Sequence, residues 1–475
     1  MTVVDGVRPG RAPLAAAFSD DRIPALVLEA IDDASPRGIA AAVNRLIRSG
    51  RLVTGDRLPT VRDLARDLGI SPATVSEAWQ ALSAVGAIES RGRAGTFVRC
   101  TDEPSRPVRY LGIGIAPAAT GLDLSTSMPD PALLPALRPA LESVTDPDLV
   151  WTTSYLDDPV LPRLEELLRA DWPFEAQRIG TVDGALDGLS RLIEQVVRLG
   201  DRVALENPGF PALIDLLEAR GAEIVPLEVD ELGVTEASLE FALSLEPVAL
   251  FLQPRAQNPT GASMTAQRVA ALAALLRHTR TWIVEADHSG LIAKGDDVSL
   301  GTFLPERTVH VRSFSKSHSP DLRTAAIGGA AEVLDPLMAR RMLGPGWTSR
   351  ILQGMLVDLL SDPVAIAAVN RARDTYHHRV SSLHESLVSR GVVCAPADGI
   401  NLWVQVADER SALLMLAAGG IRVAPGGPFM VQPLAEQYLR ITAGLLPDDR
   451  EQIDDIGHRI AEAAQARPSV RGGIS

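Results

Sequence analysis

Of the 46 basic residues in this 475-residue chain only two are lysines, Lys294 and Lys316, so any chemistry that needs a primary amine has two candidates. Lys316 lies in Ser313-Phe314-Ser315-Lys316-Ser317-His318-Ser319-Pro320-Asp321-Leu322-Arg323, directly after the apolar run TVHVR. A lysine among hydroxyls at a strand end, with an arginine further along the same turn, can form a Schiff base with a carbonyl. The hydroxyls and the guanidinium can meanwhile hold a phosphate. Lys294 lies in the polar, turn-like AKGDDVS and reads as a solvated surface residue.

Three further constellations suit the same chemistry. Asp287 ends the strand-like WIVEAD, where a carboxylate can keep a pyridine nitrogen protonated. Such a neighbour raises a cation's pKa by about 1–3 units, and the pyridinium then acts as an electron sink. Asn258-Pro259-Thr260-Gly261 follows the run VALFLQ and presents an amide to a ring hydroxyl. Gly184-Ala185-Leu186 opens a helical stretch after Gly180-Thr181 and offers free backbone N–H groups to a phosphate. Singly these are weak, since an Asp at a strand end is often a cap and NPTG is often only a turn. Together, in this order, they point to pyridoxal 5′-phosphate.

The elements that must position these residues follow from the pattern along the chain. From residue 122, apolar runs (RVALE, EIVPLEV, VALFLQ, WIVEAD, TVHVRSF) alternate with amphipathic helical stretches, which predicts an α/β domain with a mainly parallel sheet covered on both faces. We assign residues 122–345 to this large domain and 346–465, a long helical pattern followed by short strands, to a smaller α+β domain. Residues 1–36 read as an N-terminal arm, 37–100 as a compact helical block ending in a hairpin, 101–121 as a Pro- and Gly-containing linker, and 466–475 as a tail.

The block at 37–100 has its own grammar. Val61, Leu64, Ala65 and Leu68 share one helical face, Gly69 closes that helix, and Ser71 with Pro72 opens the next. In the second helix Val75, Ala78, Trp79 and Leu82 face a core, leaving Ala73, Thr74, Ser76, Glu77 and Gln80 as a small polar surface that fits a major groove. Two short strands then flank Arg91-Gly92-Arg93-Ala94-Gly95, a tip that can approach phosphates or a minor groove. This segment resembles the winged helix-turn-helix of GntR-type bacterial transcription regulators, including the L-P-x-x-R-x-L-A start and the closing Gly95-Thr96-Phe97-Val98. The expected partner is double-stranded DNA, with Arg62, Thr74, Ser76, Arg91, Arg93 and Gly95 at the interface.

Residues 122 to about 462 resemble a fold type I aminotransferase of class I/II. By that resemblance Lys316 is the Schiff-base lysine, Asp287 the pyridinium partner, Asn258 the contact to the ring hydroxyl, and Phe210 the ring stacked on the cofactor. Ser313, Ser315, Arg323 and the amides of Gly184, Ala185 and Leu186 would bind phosphate, Tyr155 would reach the partner subunit's phosphate, and Arg440 would grip a substrate carboxylate. Departures are His288 where the family usually has a tyrosine, Leu186 in place of a polar residue, and no glycine in Asp158-Pro159-Val160-Leu161 after Tyr155. They imply cofactor binding with weak or secondary transamination.

The two halves together resemble the MocR/GabR subfamily of GntR regulators. The resemblance implies a homodimer, probed by a small amino-compound effector, that regulates transcription. A working aminotransferase with an appended winged helix, or a regulator sensing pyridoxal phosphate itself, are the alternatives. Net charge supports the split: the chain carries −14, but residues 37–100 hold ten arginines against five carboxylates, so the remainder carries −19. Two distant cysteines, Cys100 and Cys394, provide neither a disulfide framework nor a zinc site, no metal is expected, and a cytoplasmic setting fits best. The longest apolar run, 269–276, is too short to span a bilayer, and the N-terminus lacks a signal-peptide pattern, so no membrane role is expected.

Overall fold

A computed structural model describes residues 22–84, 86–92, 95–99, 107–115, 121–144 and 154–467. It divides into two compact units, residues 1–106 and 107–475.

In the first unit the helices are α1 (Ile23–Ala30), α2 (Pro36–Arg48), α3 (Val61–Leu68) and α4 (Pro72–Ala84), followed by strands β1 (Ile88–Ser90) and β2 (Thr96–Val98). Side-chain oxygens start the helices: Ser35 accepts from Gly38 N–H at 3.0 Å, Thr60 from Asp63 N–H at 3.2 Å, and Ser71 from Thr74 N–H at 3.2 Å. Gly69 ends α3 at φ 68°, a conformation that favours glycine. Leu64, Ala65, Val75, Ala78, Trp79 and Leu82 are buried, as their spacing predicts. Within the expected N-terminal arm, Ile23 and Val27 stand one turn apart on α1 and are both buried. Residues 1–21 lie outside the described residues.

The second unit is built on an eight-stranded sheet in the order β4-β11-β10-β9-β8-β5-β6-β7. Its strands are β4 (Arg178–Val182), β5 (Arg202–Asn207), β6 (Glu223–Asp230), β7 (Gly233–Val234), β8 (Ala249–Leu252), β9 (Trp282–Asp287), β10 (Thr308–Ser313) and β11 (Ala325–Gly329). The central run β10-β9-β8-β5-β6 is parallel, and β11 and β7 run antiparallel to their neighbours. One face carries Val284, Ala286, Val309 and Val311 against the helix Ala185–Val196; the other carries Ile283 against Ala266–Leu276. The apolar run 269–276 therefore belongs to a buried core helix, and no single helix among the described residues is long and apolar enough to cross a membrane.

A four-stranded sheet, β12 (Leu402–Val406), β14 (Gln437–Ile441), β13 (Ile421–Pro425) and β3 (Leu122–Leu124), is covered by the helices Pro363–Val388, Glu409–Ala418 and Arg450–Gln465. Two expected boundaries shift. Residues 122–124 pair in parallel with Ile421–Val423 and so belong to the smaller sheet. The helix Arg350–Ser361 buries Met355, Leu356 and Leu359 with Ala140, Leu164 and Phe314, so the larger body extends past 346. The expected linker is corrected too: Val108–Gly112 is helical and Ile113–Ile115 a short turn. Arg109 pairs with Glu218 at 2.8 Å and donates to the Met430 carbonyl at 2.6 Å, which seats this segment on the body.

Candidate functional site

A cavity of about 520 Å3 lies beside the C-terminal ends of β9 and β10 and brings together Lys316, Ser313, Ser315, Arg323, Ala185, Leu186, Phe210, Asn258, His288 and Arg440. Lys316 follows β10 and its Nζ donates to the Ser127 carbonyl. Burial, reinforced by the Arg440 guanidinium, pushes its ammonium pKa down to about 8. Lys294 instead pairs with Asp374 at 2.9 Å on the surface.

One part of the cavity gathers donors that fit a phosphate. Gly184 precedes the helix Ala185–Val196 at φ 100°, and a Cβ there would stand 2.6 Å from Arg323 Nη2. The first-turn N–H groups of that helix have no acceptor within it, so Ala185 and Leu186 present donors at the positive end of the helix dipole. Ser313, Ser315 and Arg323 complete this end.

Arg440 lines the same cavity. Arg440 is buried at 1 % exposure, stacks over Phe429 at 5.0 Å, donates to the Ser125 carbonyl and reaches Asn258 Oδ1 at 3.4 Å. None of its partners is charged, and burial pushes its pKa below the usual guanidinium value. Asn258 is positioned by Gln253, whose side chain accepts from Asn258 N–H at 3.0 Å. Burial holds His288 near pKa 4, so it is neutral at pH 7; its Nε2 lies 3.2 Å from Ser289 Oγ and its Nδ1 has no partner.

Of the expected residues, Gly184 stands next to the lining residue Ala185, and Asp287 and Tyr155 lie away from the cavity. Asp287 points to the opposite face of the sheet, where its carboxylate accepts from Arg255 Nη2 at 2.8 Å, Arg255 Nε at 3.3 Å and Gly290 N–H at 3.0 Å. Its pKa is held well below the usual carboxylate value, against burial, by Arg255 and His310. Asp287, the expected pyridinium partner, is thus held by donors of the protein on that face. Tyr155 is 83 % exposed and lies against Trp347 at 5.9 Å, outside the cavity of its own chain.

Lining residues not anticipated are Arg422, the stretch Ser125–Met128, and Tyr110, Ile113 and Gly114 from the segment after residue 106. Arg422 donates to the Gly114 carbonyl and approaches Asp123 at 3.4 Å. No local pattern marks Arg422 or Ser125, because both reach the cavity only through pairing of β3, β13 and β14. Tyr110, one of only four tyrosines, was the available signal.

In the first unit Arg62 is exposed, and Thr74 and Ser76 stand half-buried on the outer side of α4. Arg91 pairs with Glu89 and lies 4.9 Å over the Phe97 ring. Gly95 has φ 111°, and a Cβ there would meet Arg57 Nε at 2.8 Å, so glycine is required beside a further exposed arginine. Arg93 lies outside the described residues.

Residues 36–98 match the family described as bacterial regulatory proteins, gntR family, and residues 123–455 match aminotransferase class I and II. The chain is a GntR-type regulator with a class I/II aminotransferase body. It is 32% identical to the vitamin B6 salvage pathway transcriptional repressor PtsJ of Salmonella typhimurium, over 88% of this chain and 96% of that protein. It is 27% identical to the pyridoxine biosynthesis transcriptional regulator PdxR of Corynebacterium glutamicum, over 74% of this chain and 78% of that one. Among solved structures, the α-aminoadipate aminotransferase LysN of Thermus thermophilus shares the fold at TM-score 0.64 and 22% identity, covering 74% of this chain and 96% of LysN. The GntR-type head is the class of domain that binds DNA, and the aminotransferase body is of a pyridoxal-phosphate-dependent fold. The residues present in this regulator fit that cofactor at its phosphate and aldehyde ends, through Arg323, Ser313, Ser315, the helix N-terminus and Lys316. They do not place the Asp287 carboxylate at its ring nitrogen.

Proposed function

We propose that this regulator binds double-stranded DNA through its winged helix-turn-helix and binds pyridoxal phosphate together with an amino-compound effector in the cavity of its body. The observation that carries this reading is the charge of the cavity: Lys316, Arg323, Arg422 and Arg440 line it, and no carboxylate does among the described residues. Such a lining selects a ligand with two separated anionic groups, a phosphate at Arg323 and a carboxylate at Arg440. When bound, pyridoxal phosphate supplies an aldehyde that condenses with primary amines.

The chain's own residues do the rest. Lys316, with its lowered pKa, presents a neutral amine, Asn258 and neutral His288 offer hydrogen bonds without adding charge, and Arg440 orients the effector's carboxylate. A bidentate pair formed in the closed state alone shifts an open–closed equilibrium by a few kcal/mol, about what a change from mostly open to mostly closed requires. A cytoplasmic homodimer completes the reading, with the exposed Tyr155 reaching the partner's cavity and two heads reading two half-sites.

The test is a DNA-binding assay on the region upstream of the protein's own coding sequence, with and without pyridoxal phosphate, across a series of amino compounds. Affinity that changes with cofactor plus one amino compound supports the proposal; no DNA binding in any state sinks it. A second reading, in which pyridoxal phosphate itself is the signal, is favoured by the names of PtsJ and PdxR, both tied to vitamin B6. Under it, cofactor alone changes DNA affinity and Arg440→Ala leaves the response intact.

A further inference from the structure

We infer that this chain leaves the ring nitrogen of its bound cofactor without a carboxylate, because Ala286 and not Asp287 stands on the cavity face of β9. The inference rests on the proposed cofactor site. Side chains alternate along a strand, so residues one apart face opposite sides of the sheet. Ala286 pairs with Val311 and Asp287 with Arg312 in the parallel ladder to β10. Val311 and Ser313 lie on one face of β10, and Ser313 lines the cavity. Ala286, with Val284 and Val311, belongs to the apolar cluster against which Ala185, Leu186 and Phe210 pack, and those three also line the cavity.

Asp287 lies on the other face with Glu285. There Arg255 grips it, Arg312 Nε stands 3.7 Å away, and His310 bridges towards Glu285 at 2.9 Å. Asp287 is fully buried in this network, and turning it to the cavity would strand Arg255 and Arg312 on the far side.

A carboxylate at the ring nitrogen is what keeps that nitrogen protonated and lets the ring draw electrons from the Cα–H bond of a bound amine. On this face β9 offers only the methyl group of Ala286, and four basic side chains line the cavity, which disfavours one more cation. The consequence is a site that captures an amino compound and retains its Cα proton. It works as a receptor where the same fold elsewhere works as a catalyst.

The experiment is a nitrogen-15 NMR measurement on the full-length protein loaded with pyridoxal phosphate labelled at the ring nitrogen, from pH 6 to 9. The expected shift is that of an unprotonated pyridine, unchanged in Asp287→Asn. A pyridinium shift in the unmodified protein, lost in Asp287→Asn, overturns the inference. A second arm uses Ala286→Asp: the shift should move towards pyridinium, and exchange of the Cα deuteron of a bound amino acid should speed at least tenfold. A folded, loaded Ala286→Asp protein with neither change also overturns it. Failure of the unmodified protein to take up the cofactor, read as absence of its visible absorption, defeats the proposed site itself and is distinguished from both outcomes.

Discussion

Tyr110 meets Phe210 edge to face, ring centroids 6.0 Å apart, and the pair closes one side of the cavity. Tyr110 belongs to the segment that directly follows the DNA-binding unit in the chain, and Phe210 to the body. Asp215 fixes the approach, accepting from Arg109 N–H at 3.2 Å and Tyr110 N–H at 2.9 Å. Arg422 donates to the Gly114 carbonyl of the same segment.

Removing the Tyr110–Phe210 contact should uncouple sensing from DNA binding. An aromatic pair contributes about 0.5–1.5 kcal/mol beyond its buried area, so Tyr110→Ala should reduce the ligand-dependent change in DNA affinity two- to tenfold. Cofactor uptake and DNA affinity of the unliganded protein should stay as they are. Titration of labelled DNA at fixed ligand concentrations measures all three, and a full response in Tyr110→Ala would dismiss the pathway.

Lys316→Ala should abolish the visible absorption of bound pyridoxal phosphate; a persisting band would mean that another amine holds the cofactor. In the intact protein the rate of cofactor uptake should rise with pH and level off above about 8, because the Lys316 ammonium loses its proton there. A lysine at its ordinary value, about 10.4, would give a rate still climbing at pH 10. Absorbance time courses across pH 6 to 10 separate the two.

Arg440 carries a buried charge without a carboxylate, so its truncation should relieve the protein while harming the ligand. Arg440→Met should leave the thermal transition unchanged or raised. Binding of a carboxylate-bearing effector should weaken by thirtyfold or more, since losing the partner of a buried charge costs about 2–5 kcal/mol. Calorimetric titration and a thermal scan on the same sample test both halves.

Asp287 should behave in the opposite way. Asp287→Asn breaks a buried pair with Arg255, a change of about 3–5 kcal/mol against the fold, and the thermal transition of the body should fall. The folded pKa lies below the unfolded value of about 3.9. The stabilisation is therefore complete above pH about 4 and is lost only as pH falls through the folded pKa. Unfolding followed from pH 7 to 3 should show a gap between the mutant and the unmodified protein that is constant above pH about 4 and starts to narrow below it.

On the head, Arg62→Ala should weaken DNA binding and lower its salt slope by about 1 if the side chain meets a phosphate. Gly95→Ala should disorder the hairpin, because a left-handed φ disfavours a Cβ by about 1–2 kcal/mol and the methyl would press on Arg57. DNA affinity should fall in both variants, but only Gly95→Ala should lower the thermal transition of the head.

What was legible in the sequence was local. Ser35, Thr60 and Ser71 start helices, and Gly69 ends one, through contacts within a few residues. The order of the Gly184, Asn258 and Lys316 motifs pointed to one shared cavity, and Ala185 beside Gly184, Asn258 and Lys316 do line it. What only the tertiary structure decided was which faces meet. Asp287 and Ala286 are equally near Lys316 along the chain, and the ladder between β9 and β10 sends one to the ionic network and the other to the cavity side. Tyr110 reached the site because Asp215 and Glu218, more than a hundred residues away, hold its segment on the body. Strand register and long-range ion pairs depend on partners that no local pattern encodes, so the gathering of the site's charges emerged only from the folded chain.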